Sequence, residues 1–200
     1  MFAGILLTSS VFAQTQTSPV SNNVQFGIKA GPLFSSITTK TAGSNSTSGL
    51  ITSLQAGIVA DILLAPQFYF EPGLLFAGKG GIINGVKSSI SYVEVPLDLM
   101  FKPQMGDAGA FGGGTFFLGL GPYFGNAIGG NNVVFGPNTG NLKRFDAGAN
   151  FQAGYQLPMG LNFSLTTDLG LINIMTNGDN NNGYHNTSFG FDIGYFFGSK

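Results

Sequence analysis

An all-β fold, eight antiparallel strands closed up-and-down into a barrel, is predicted by three features of the sequence. Apolar and polar residues alternate with a period of two over eight separate stretches. The connections between those stretches tend to alternate between long polar and short. Composition favours crowded strands over helices: 32 glycines, 20 phenylalanines and only 8% charged residues, against about a quarter in an ordinary soluble domain. Glycine costs a helix about 1 kcal/mol per position relative to alanine. Disorder needs high charge and few aromatics, the reverse of what is present.

The eight stretches follow in order. Residues 24–31, "VQFGIKAG", set Val24, Phe26, Ile28 and Ala30 against Gln25, Gly27, Lys29 and Gly31. Residues 54–62 set Leu54, Ala56, Ile58, Ala60 and Ile62 against Gln55, Gly57, Val59 and Asp61. Residues 68–76 oppose Phe68, Phe70, Leu74 and Phe76 to Tyr69, Glu71 and Gly73. Residues 91–102, "SYVEVPLDLMFK", place Glu94, Asp98 and Lys102 four apart, the spacing of a helical charge ladder. Pro96, Val93 and Val95 argue against a helix there, and Val93, Val95, Leu97, Leu99 and Phe101 complete a strand alternation. Residues 116–124, 144–157, 161–171 and 188–197 complete the set. Long polar connections are expected at 39–49, 81–89, 126–143 and 175–186, and short ones near 64–67 and 158–160. The link at 103–113 is longer than the pattern wants. Pro32, Pro72, Pro96 and Pro122 fall inside strands, where a missing N–H predicts bulges or segments projecting past their neighbours.

The charges decide which face is the inside. Lys29, Asp61, Glu71, Lys79, Glu94, Asp98, Lys102, Arg144, Asp146, Asp168 and Asp192 all share the face of the glycines and amides. None lies on the Phe/Leu/Ile face. A soluble lipocalin-like barrel, the alternative, would turn its apolar face inward and would have no use for a glycine-rich exterior. A narrow barrel in lipid needs the small residues inside, where side chains compete for space, and hydrocarbon outside. Ten tilted residues cover an apolar band of about 25 Å. The expected fold is therefore a transmembrane β-barrel spanning 24–198, located in the outer membrane, contacting its lipid and monomeric. Residues 1–13, "MFAGILLTSSVFA", fit a secretory signal with cleavage after Ala13, although the basic n-region is missing and a start further upstream is implied. Residues 14–23 read as a polar tether.

"YVEVPLDLMFK" (92–102), "FFLGLGPYFG" (116–125), "KRFDAGANFQAGYQL" (143–157) and "LTTDLGLINI" (165–174) resemble the small outer-membrane β-barrel domain family of Gram-negative bacteria, the porin-family or PorT-like proteins. The resemblance covers 24–197 and implies an eight-stranded barrel, inserted by the barrel assembly machinery, with no particular activity. The chain departs from the pattern at "GSK", which follows the closing aromatics Tyr195, Phe196 and Phe197.

Little else carries chemistry. With no cysteine there is no disulfide, thiolate metal site or cysteine nucleophile, and a net charge of −1 calls for no nucleic acid. No cofactor or metal is expected. His185, the one histidine, reads as a residue of the last loop; with Ser188 and Asp192 it offers the only route to a lipid-modifying enzyme. "GDNNNG" (178–183) lacks the carboxylates of a calcium loop. "GKGG" and "GGG" lack the Lys-Ser/Thr of a phosphate loop, and the sequon at Asn45 is uninformative. The eleven lumen charges are the one constellation. They are expected to pair across the lumen as a polar plug, with Arg144 and Lys29 serving Glu94 and Asp98. The alternative is a narrow path for ions or small solutes. The functional expectation is a non-enzymatic barrel presenting four loops to an unspecified ligand.

Overall fold

The computed structural model describes residues 24–83, 85–103 and 113–198. The expected signal and tether, residues 1–23, lie outside the described residues, as does most of the link at 103–113. Among the described residues nine strands form: β1 (Val24–Thr41), β2 (Ser44–Thr47), β3 (Ile51–Ala65), β4 (Phe68–Ile83), β5 (Val86–Phe101), β6 (Thr115–Asn131), β7 (Phe145–Gln156), β8 (Leu161–Gly170) and β9 (Gly183–Phe196). Each of the eight long strands is antiparallel to both neighbours, and β1 pairs with β9 to close the barrel. The short β2 continues the β3 side of β1 upward, matching Thr38 to Thr47 and Thr41 to Ser44.

Closure leaves none of the eight long strands as a sheet edge, and the pleat turns every other residue outward. Outward residues are large and apolar: Phe26, Ile58, Leu74, Leu99, Leu118, Leu120, Phe151, Leu165 and Ile193 are all exposed. Aromatic residues mark two levels. Phe26, Phe68 and Phe116 sit near the end that carries both termini, and Phe34, Phe76 and Phe124 lie eight residues further along the same strands. Eight residues at a 40° tilt climb roughly 20 Å, close to the height of an apolar membrane band. At the lower level, rings of neighbouring strands touch: Phe68–Phe101 at 5.2 Å and Phe116–Tyr155 at 4.7 Å between centroids.

Two expectations change. Of the four long connections, the first two are mostly strand. β1 and β2 turn at Ala42-Gly43, both with positive φ; Ile83 at the end of β4 pairs with Val86 at the start of β5, and Gly85 has a positive φ. In the sequence an Asn-Gly pair between apolar residues is the strongest two-residue hairpin signal, and Ile82, Ile83 and Val86 flank this one as the ends of β4 and β5. The longer segments 132–144 and 171–182 fold over the barrel mouth. There Leu142 and Ile174 pack with Ile90, Tyr92 and Ala127 in a buried apolar cluster.

The prolines produce no bulges. The register shifts lie elsewhere, at Leu63/Ala65 and Ser91/Tyr92. Beside each proline the ladder skips two pairs on one side and resumes in the same register, as between Ala30↔Ile193 and Leu33↔Gly190 around Pro32. The opposite side holds: Pro32 keeps Leu54, Pro72 keeps Leu97, Pro96 keeps Tyr123 and Pro122 keeps Ala149. In an antiparallel sheet a residue's N–H points to one neighbour only, so a proline withdraws one donor from one side.

Candidate functional site

The inward positions of the eight strands form a polar column. Lys29, Asp61, Glu71, Lys79, Glu94, Asp98, Lys102, Asp146, Asp168 and Asp192 are all buried there. Arg144 is not among them. It precedes the first residue of β7, is exposed at the loop-end rim, donates from Nη1 to the Ala127 carbonyl at 2.9 Å and lies 4.5 Å over the Phe135 ring. The alternation that placed Arg144 inside ends one residue too soon, because β7 starts at Phe145.

Lys79 takes the place expected of Arg144. It is fully buried and pairs with Glu94 at 2.7 Å and Asp168 at 2.9 Å, with the Tyr123 ring centroid 4.1 Å away. β4 and β8 stand half a turn of the barrel apart, so the Lys79–Asp168 pair spans the lumen. Asp168 also accepts from Asn150 at 2.5 Å and Ser188 at 2.9 Å. A second span lies nearer the loops: Asn186 on β9 donates to the Tyr92 hydroxyl on β5 at 3.2 Å and to Asp146 at 2.8 Å, and Tyr123 donates to Asp146 at 3.2 Å.

Towards the terminal end, amides join carboxylates. Gln152 donates to both Glu71 (3.0 Å) and Asp98 (2.9 Å), while Lys29 stands 3.9 Å from Glu71. Gln55 donates to Asp192 at 2.7 Å and to Thr166 at 2.9 Å. Lys102 pairs with Asp61 and is boxed by the rings of Phe196, Tyr69 and Phe117. Below that pair a polar vestibule of ≈ 290 Å³, lined by Gln25, Tyr69 and Gln156, opens at the terminal end. At mid-height, between Lys29, Tyr123, Asn150 and Asp168, the free space is ≈ 10 Å³, about one water molecule.

Small residues make room for these bridges. A methyl group on Gly148 would lie 2.6 Å from the Tyr123 ring, and one on Gly119 would lie 2.7 Å from the Gln152 side chain. The bridging residues Gln55, Asn150, Gln152 and Asn186 have the inward parity of the charges, the one signal by which they are legible. As isolated amides on a glycine face they draw no notice.

The remaining candidates do not assemble. His185 lies on β9, opposite Thr38, and has the outward parity, whereas Ser188 and Asp192 point inward to different partners. Asp179 accepts the backbone N–H groups of Asn181 (2.8 Å) and Asn182 (2.7 Å), which hold its carboxyl below the ordinary value of 3.8. That is an Asx-type turn, and its acceptor oxygen is already occupied. Among the described residues, no group of three or more His, Cys, Asp or Glu is placed to hold a metal.

Comparison with known proteins adds the family. The sequence profile described as outer membrane protein beta-barrel domain matches residues 12–176. No curated protein matches. Among solved structures, OprG from Pseudomonas aeruginosa is 14% identical over 86% of this chain and 95% of that chain, with a TM-score of 0.45. The outer membrane protein AlkL in DMPC bilayers is 14% identical over 96% and 97%, also at 0.45. Neisserial surface protein A is 7% identical over 85% and 96%, at 0.45.

Proposed function

The chain belongs to the outer membrane protein beta-barrel domain family, located in the outer membrane, and we propose that it is a non-enzymatic member whose lumen is closed by its own polar side chains. The observation that carries this reading is the Lys79–Asp168 bridge between opposed strands, with about one water's space beside it. Eight strands leave an interior that side chains fill. A solute would have to break a buried ion pair to pass. The barrel is then a rigid monomeric post, delivered by the barrel assembly machinery, that holds the covered loop end in place as a binding face. The separation of His185 from Ser188 and Asp192 favours this over a lipid-modifying enzyme.

The test is conductance across a planar bilayer containing the refolded full-length chain. The expected result is no steady current in wild type and the appearance of current in Lys79→Ala. A steady unitary conductance in wild type would refute closure and favour the narrow channel.

A further inference from the structure

At the terminal end, inward positions of five strands converge on one space. They are Gln25 of β1, Asp61 of β3, Tyr69 of β4, Thr115 of β6 and Gln156 of β7, and Lys102 joins them one residue past β5. The register sets Gln25 directly opposite Asp61 and Thr115 directly opposite Gln156. These six residues line the vestibule of ≈ 290 Å³. Its inner side is the Lys102–Asp61 pair, with the Phe117 and Phe196 ring centroids 5.5 and 4.7 Å from the ammonium.

This space holds more hydrogen-bonding capacity than the protein uses. Asp61 is buried, gives Oδ2 to Lys102, and accepts at Oδ1 from no donor among the described residues. The Gln25 amide and the Tyr69 and Thr115 hydroxyls also have no hydrogen-bond partner among the described residues. Gln156 accepts from Lys102 at 3.4 Å through Oε1, which leaves its amide N–H groups open. Higher in the lumen the pattern is the opposite: Gln55, Gln152 and Asn186 each donate to two groups. A buried carboxylate oxygen without a donor is costly, so a ligand that supplies one gains there. Open polar groups converging on one concavity are the composition of a small-molecule site.

We propose that the vestibule binds a neutral polyhydroxylated ring, one monosaccharide, at the terminal mouth of the barrel. Charge selects neutrality. Asp61 and Lys102 cancel, so an anion meets a carboxylate and a cation meets an ammonium. A hydroxyl both donates and accepts, and so serves Asp61 Oδ1 as well as the Gln25 and Gln156 amides. Leu157 and Pro158 add apolar wall for the C–H face of a sugar ring. Size selects a single ring, because ≈ 290 Å³ lies at the lower limit of small-molecule pockets, about 300–1,000 Å³. This goes beyond closure of the lumen: the vestibule lies below the plug, and the ligand enters and leaves by one mouth.

The test is saturation-transfer difference NMR on the refolded full chain in an amine-oxide detergent, which carries no sugar. The probes are D-glucose, D-galactose, D-mannose and N-acetyl-D-glucosamine. Saturable binding of at least one at millimolar concentration is expected. Cyclohexanol, a ring without the hydroxyl array, should not compete. Gln25→Leu with Gln156→Leu should weaken binding roughly tenfold or more, about one hydrogen bond for each amide lost. No saturable binding by any of the four overturns the proposal, as does unchanged affinity in the double variant. Displacement by glycine also overturns it, since that marks a site for zwitterions. If the double variant fails to fold, Tyr69→Phe keeps the ring beside Lys102 and should weaken binding about threefold; unchanged affinity there overturns the proposal too. Conductance of the same preparation tests closure separately, so the failure of either reading is recognised without the other.

Discussion

Replacing Lys79 by methionine removes the only cation, among the described residues, that pairs with the buried carboxylates of Glu94 and Asp168. Their fates differ. Asp168 keeps donors from Asn150 and Ser188, whereas Glu94 has no ion-pair partner but Lys79 among the described residues. Breaking a buried pair by removing one member costs about 3–5 kcal/mol, because the charge left behind has lost both its water and its partner. Glu94 is the group that incurs this. The expected loss for Lys79→Met is therefore about 3–5 kcal/mol, and Glu94→Gln in the same chain should return most of it. The assay is urea unfolding of barrels folded into lipid vesicles, read by heat-modifiable gel migration across a double-mutant cycle. A loss below about 1 kcal/mol for Lys79→Met, or no recovery from Glu94→Gln, would refute the placement of Lys79 as the central pin.

Three other outcomes follow from the same structure. Asp146 accepts from Tyr123 and Asn186 but forms no ion pair among the described residues, so Asp146→Asn should change unfolding free energy by no more than about 1 kcal/mol, while Asp146→Leu should cost about 1–3 kcal/mol by stranding both donors. Leu120→Arg, midway along the outer wall of β6, should lower stability in vesicles by about 2–4 kcal/mol; a cost near zero would mean that this wall faces water. The Asp179 carboxyl should titrate below 3.8 by NMR, and Asp179→Asn should abolish that resonance shift. A depressed folded value makes its contribution to the turn complete above about pH 3.8, lost as pH falls through the folded value. A midpoint at or above 3.8 would count against the turn.

The barrel was legible because its two faces differ at every step of eight strands, so the period survives any single ambiguous residue. What resisted reading were the ends. Arg144 has the inward parity and yet lies outside, since parity says nothing about where a strand begins. The Asn-Gly at 84–85 was passed over because Gly81, Lys87, Ser88 and Ser89 made 81–89 read as a loop, although Ile82, Ile83 and Val86 flank it and end the two strands. The ladder at Glu94, Asp98 and Lys102 was legible as inward positions but not as pairs. Partners across a lumen depend on shear and tilt, which one strand's sequence does not encode. Thus Glu94 meets Lys79, Lys102 meets Asp61, and Asp98 meets an amide.

The formal charge of −1 conceals a separation. Among the described residues the lumen holds seven acids and three lysines, while the surface holds four bases and one acid. Desolvation explains why the lumen acids are bridged by Gln55, Asn150, Gln152 and Asn186. With too few cations to pair every carboxylate, neutral donors must serve the rest; Gln55, Gln152 and Asn186 join strands that do not touch in the sheet, and Asn150 bonds its cross-strand neighbour Asp168. The same excess of lumen acids leaves Lys143 and Arg144 without a carboxylate partner among the described residues, and their side chains rest on the carbonyls of Asn173 and Ala127. A plug built from acids and amides and a rim left basic are two consequences of one partition, and Lys143 and Arg144 stand where that partition meets the membrane surface.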